Sequence, residues 1–127
     1  MFLDHKTWVR TALLADTAFS ALVPAGQVLS AWPNLFSTLP MVTLMSANQA
    51  NNVFVDDAPM ANDLVLELHV FVAYTSSAQP ILQALDAVMV KKMWTLNMSR
   101  ELPEPQQKVR HWVVTYSRDS VNADAMQ

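Results

Sequence analysis

Glu67, His69 and His111 are the side chains in this sequence whose types and spacing come nearest to proton transfer or metal ligation. Read with a period of two, the stretch NDLVLELHVFVAYTS from Asn62 to Ser76 is a strand. Leu64, Leu66, Leu68, Val70 and Val72 fall on one face, and Val65, Glu67, His69, Phe71 and Ala73 on the other. If this strand pairs with the last apolar stretch, KVRHWVVTYSRD, His69 and His111 meet and, with Glu67, offer a donor set of the kind that holds zinc. The plainer reading is of strand histidines on a half-solvated face. The sequence favours it, because neither H-x-H nor H-E-x-x-H spacing occurs and His5 lies apart at a helix start.

Other chemistry is sparse. Asp56 and Asp57 are adjacent but lack the alternating acids of a calcium loop, so they read as a solvated turn. Glu101 and Glu104 flank a proline-rich turn and read as surface charge, and the NMS triplet at Asn97 carries weight only in a secreted chain. Gly26 is the single glycine, so neither a P-loop nor a dinucleotide fingerprint can form, since both need several positions where backbone approaches phosphate. The absence of cysteine removes disulfides, thiol catalysis and thiolate zinc sites. No serine, threonine or lysine sits in a nucleophile context. The expectation is a non-enzyme with no catalytic residues, no metal and no cofactor.

Composition sets the frame that must position these residues. The chain has 127 residues, 52% of them hydrophobic, enough for one domain spanning 1–127 around one core, with a polar tail from about residue 119. A formal charge of -3 argues against binding nucleic acid through phosphate neutralisation. No charged side chain occurs from Thr17 to Val55, but Pro24, Pro33 and Pro40 interrupt that run, so no membrane-spanning helix is expected. MFLDHKTWVR lacks an apolar leader core, so no secretory signal is expected either. An uncharged run of this kind is surface buried by the chain's own core or by a neighbour, and composition does not separate the two.

Asp4 is placed to cap a helix from about His5 to Leu22, with Trp8, Ala12, Ala15, Phe19 and Leu22 at helical spacing. QVLSAW and MVTLMS read as short strands, with Leu35 and Phe36 of the intervening loop tucked under the core. ANQANNVFVDDAPMA reads as a mobile loop carrying the apolar triplet Val53, Phe54 and Val55. After the long strand, Ser77 and Pro80 start a second helix with Ile81, Leu85 and Val88 as its stripe, and two strands, TLNMSREL and KVRHWVVTYSRD, close the chain. The expected fold is α+β in the order α-β-β-β-α-β-β, a mostly antiparallel sheet packed by two main helices, with a long protruding hairpin. At ~3.3 Å per residue the long strand would run about 45 Å. A compact chain of this length is only about 36 Å across. The strand must therefore bend, bulge or leave the domain.

An N-terminal helix ending in ALVPAGQVLSAWP, then LPMVTLMS, LVLELHVFVAYTS, AQPILQALDAVMVKKM and a closing VRHWVVTYSR give a layout that resembles the tail-completion or tail-terminator proteins of long-tailed bacteriophages, over Lys6 to Arg118. The resemblance is one of layout and hydrophobic rhythm and has no invariant motif. It implies a protein without catalytic residues that forms a homo-oligomeric ring, commonly of six subunits. Such a ring caps the tail tube, stops its polymerisation and meets the head–tail connector, while DNA passes through the lumen without specific binding. The implied location is the virion tail or neck, assembled in the host bacterial cytoplasm and away from membranes. Under this reading the interface residues are Val53, Phe54, Val55, Asp56 and Asp57 in the loop, with Glu67 and His69 on the long strand. Alternatives are another neck or connector component, a ligand-binding α+β domain whose pocket is lined by Trp32, Phe36 and Trp94, or, least supported, a small hydrolase.

Overall fold

The computed structural model describes the backbone of residues 5–30, 38–55, 58–102 and 108–119, and the side chains of the same ranges except 46–63 and 119. The first helix, α1 (His5–Ala15), buries His5, Val9 and Leu13, spaced four apart along one face. The continuous helix expected to Leu22 is broken at Asp16, whose backbone is extended and whose carboxylate accepts a 2.9 Å hydrogen bond from the Phe19 N–H. An aspartate offers the backbone a local partner that competes with the helix, so it ends one helix and caps the next, α2 (Thr17–Leu22). The Asp4 cap, and the placing of Leu35 and Phe36, fall outside the described residues.

A 3-10 turn at Ala25–Gln27 leads into β1 (Val28–Leu29), shorter than the strand expected from QVLSAW. Next come β2 (Met41–Val55) and β3 (Ala58–Ala73), and then α3 (Gln79–Lys91). The start of α3 carries Pro80 in its first turn, and the Ser77 hydroxyl accepts from the Gln79 N–H at 3.2 Å. Two further strands, β4 (Thr95–Leu102) and β5 (Val109–Asp119), complete an α+β fold. The five strands lie in the order β1-β2-β3-β5-β4, antiparallel except for β1 beside β2. Among the described residues no helix is long and apolar enough to cross a membrane.

The core follows from the period-two pattern of β3. Leu64, Leu66, Leu68, Val70 and Val72 are all buried and meet Val9, Leu13 and Phe19 from the first two helices and Ile81, Leu85, Val88 and Met89 from α3. Each such side chain is worth about 1.5–3 kcal/mol against full exposure. A smaller cluster of Met41, Phe71 and Val109, with Leu29 and Leu39 packed on it, occupies the opposite face of the sheet. Both faces of β3 are therefore covered where it crosses the body.

Tyr116 links sheet to helix: it is buried, and its hydroxyl donates to Asp86 of α3 at 2.7 Å. Burial above all, then the hydrogen bond to Asp86 and the charge of that carboxylate, push its ionisation well above the usual tyrosine range. The unfolded chain releases this proton at about pH 10, whereas the folded chain retains it. The contribution is therefore complete below about pH 10 and is lost as pH rises beyond it. Urea midpoints measured across the alkaline range are expected to fall above about pH 10, and to fall less steeply in Tyr116→Phe. An identical fall in both proteins contradicts this assignment.

Candidate functional site

The sheet is not uniform in width. Pairing of β3 with β5 begins at Asp63 and runs to Ala73, whereas pairing of β3 with β2 continues outward to Ala58. Among the described residues only β2 lies beside β3 from Ala58 to Asn62, so this part of the hairpin runs roughly 17 Å past the described β3–β5 pairing at ~3.3 Å per residue. On its other side β2 pairs with β1 at Val42 and Thr43 alone. From Leu44 to Val55 its outer edge has no strand partner among the described residues.

This corrects the expected loop. Val53, Phe54 and Val55 lie in β2, in register with Ala61, Pro59 and Ala58. Polar, Asn-rich sequence has weak strand preference by itself, but a paired neighbour decides such cases. The ladder slips between Leu44 and Ser46, between Asn51 and Val53, and again between Val53 and Phe54, which are the bulges that an overlong strand was expected to need. Asp56 and Asp57, which connect the two strands in sequence, fall outside the described residues.

Glu67, His69 and His111 do come together, on the sheet face away from the helices. The His69 Nδ1 and His111 Nε2 atoms are 2.6 Å apart, and His69 Nε2 is 2.6 Å from Glu67 Oε1. His111 stacks on Phe71 with ring centroids 4.4 Å apart. His69 is 7% exposed and His111 2%, so the half-solvated face of the sequence reading is in fact an interior one. Phe71, Met41 and Val109 close over it.

The chemistry of the chain of three follows from donor counting. The Glu67 carboxylate accepts, so His69 Nε2 carries a hydrogen. A neutral His69 then takes its second bond from the His111 Nε2–H, and a cationic His69 instead donates from Nδ1 to His111. Either arrangement satisfies both hydrogen bonds. The groups touch one another in a line instead of converging on a common point, and among the described residues no cluster of His, Cys, Asp or Glu is placed to hold a metal. Thr43, opposite His69 in register, is fully buried and its hydroxyl makes no hydrogen bond among the described residues, so it offers no surface nucleophile.

Trp94, proposed above as a pocket residue, is 2% exposed in the core, 6.1 Å from the His5 ring and 6.4 Å from Trp8. Trp32 and Phe36 fall outside the described residues. An open cleft of about 220 Å³ does exist elsewhere, lined by Leu22, Leu39, Pro40, Val72, Ser77 and Ile81 among others, with no titratable side chain in its wall.

The sequence reading missed the edge character of β4. Seven of its eight residues are exposed, including Leu96 at 44% and Met98 at 46%, and β5 is its one strand partner among the described residues. In TLNMSREL one face holds Leu96, Met98 and Leu102 with Arg100 among them, and the other is wholly polar, so the pattern reads as an ordinary strand and does not mark an edge.

No family model matches the sequence, and no curated protein matches it. Among solved structures, a chain from the virion of a native gene transfer agent particle is similar in fold, with a TM-score of 0.63 at 14% identity, over 86% of this chain and 88% of that one.

His111→Phe keeps a ring on Phe71 and removes the hydrogen bond to His69. A loss of about 1–3 kcal/mol is expected from urea unfolding, the usual cost of taking away a buried polar partner. A change below about 0.5 kcal/mol, typical of a surface site, would show that the histidine contact does not hold the two strands together.

Proposed function

We propose that this chain is a non-enzymatic structural protein of a phage-like virion, and that within the virion it acts as the tail terminator, forming a ring on the finished tail tube and meeting the head connector. The observation that carries the reading is the hairpin that outruns its own sheet, with backbone edges that the described part of the chain does not pair. The fold shared with a chain of a gene transfer agent virion supports a structural role in a particle. Layout and hydrophobic rhythm, as read from the sequence, support the terminator assignment.

The physical task suits such a chain. A tube of identical subunits presents the same growing end after every addition, so it does not close itself and needs a different protein to cover the end. A ring binds that end through several weak contacts at once, each raising the effective concentration of the next, and so prefers the tube to free tube subunits. The acidic balance of the chain leaves a wall that does not attract DNA. Glu67, half-buried, remains able to take part in contacts, whereas the buried His69 holds the base of the hairpin.

Deleting the gene in the phage or prophage that encodes it is expected to give tails of abnormal length, or tails that do not join heads, beside capsids filled with DNA. Electron micrographs of the lysate read this directly. Normal tails joined to full heads would refute the terminator role, and normal-length tails left unjoined beside intact connectors would point to a neck component.

A further inference from the structure

The ring proposed above needs a contact between copies, and among the described residues the sheet has two edges without a strand partner, on opposite sides: β2 beyond Thr43 and β4 along its length. We infer that copies of this chain join head to tail, with the β2 edge at Ser46–Asn51 of one copy pairing antiparallel with the β4 edge at Met98–Leu102 of the next. The inference rests on the ring reading and names the surface that builds it.

Four observations support the pairing. The first is length without interruption: Ser46 to Asn51 run in unbroken register with β3, and Met98 to Leu102 run in unbroken register with β5, so each offers a straight edge of similar extent. The second is direction. Successive antiparallel pairs from β2 through β3 and β5 make β4 run opposite to β2, so a neighbour whose sheet continues in the same sense brings β4 to β2 antiparallel.

The third is the absence of protection. Soluble proteins guard strand edges with charge or proline. The part of β3 beyond its described pairing with β5 holds Pro59, which cannot donate to a ladder. From Leu44 to Val55, β2 has neither charge nor proline. Within the uncharged run that begins at Thr17, Val42 and Leu44 belong to the chain's own core, and beyond Ser46 β2 continues as a strand whose outer edge carries neither charge nor proline.

The fourth is charge. Residues 46–63 carry Asp56, Asp57 and Asp63 and no cation, whereas residues 91–102 carry Lys91, Lys92 and Arg100 against the single acid Glu101. Opposite net charge in the two stretches of sequence favours contact between unlike stretches over contact between like ones. Exposed Val90, Met93, Leu96 and Met98 supply the apolar area on the β4 side. A contact between unlike surfaces propagates and closes into a ring when its rotation allows.

The chain contains no cysteine, so single-cysteine variants report proximity cleanly. Gln49→Cys and Ser99→Cys proteins, each melting like the parent, are mixed and treated with a short bismaleimide. The expected product is a dimer containing one of each, with no cross-linked dimer from either variant alone; the double variant gives a ladder ending at the ring. Ala47→Cys with Glu101→Cys repeats the test at a second pair. Cross-links between like variants, assembled protein without mixed cross-links, or a protein that stays monomeric at its solubility limit would each overturn the inference. The terminator role is separable: mixed cross-links alongside a deletion phage with normal tails would leave this contact standing and remove the role, and abnormal tails with no mixed cross-link would do the reverse.

Discussion

Every backbone N–H and C=O in a sheet needs a partner, and the β2–β3 hairpin is longer than the other described strands serve. Where β3 crosses the body its two neighbours satisfy it and its side chains fill the cores on both faces. Among the described residues that support ends beyond Asp63 on one side, and beyond Thr43 for β2 on the other. An isolated two-stranded hairpin is at best marginally stable in water. The arrangement is consistent with an element completed by another chain, and the proposals above all follow from that imbalance.

The buried Glu67–His69–His111 chain belongs to the same account. It lies where β1 ends beside β2, next to the first bulge, at the pairing of Ser46 with Glu67. Two imidazoles in contact at 2.6 Å, stacked on Phe71, tie β3 to β5 through side chains within the pairing that runs from Asp63 to Ala73. A fixed root lets the hairpin act as a lever of defined direction, whereas a loose one would spread its orientation over many angles and raise the entropy cost of any contact at its far end.

The core was legible because period two in Leu64 to Val72 and helical spacing in Ile81, Leu85 and Val88 report burial directly. The meeting of His69 and His111 could be written down from the assumption that the third and last strands pair, but not their burial, which depends on Met41, Phe71 and Val109 converging from three strands. The hairpin was expected to protrude, yet its outer half read as a loop, since Asn-rich sequence has no strand preference until a partner strand supplies the ladder. Asp16 read as an ordinary helical residue because spacing alone continues to Leu22; its competing bond to Phe19 is a matter of local geometry. That β4 lies at the edge follows from strand order, which periodicity does not encode.

The central claim is that the outer edge of the hairpin is completed by another copy of the chain. Amide hydrogen exchange, followed as the protein is diluted, tests it most directly. The account predicts that alternate amides between Ser46 and Asn51 and between Met98 and Leu102 lose protection together on dilution, while those of Leu64 to Val72 stay protected throughout. Exchange at the two edges that is independent of concentration, in a protein that light scattering shows to assemble, would contradict it.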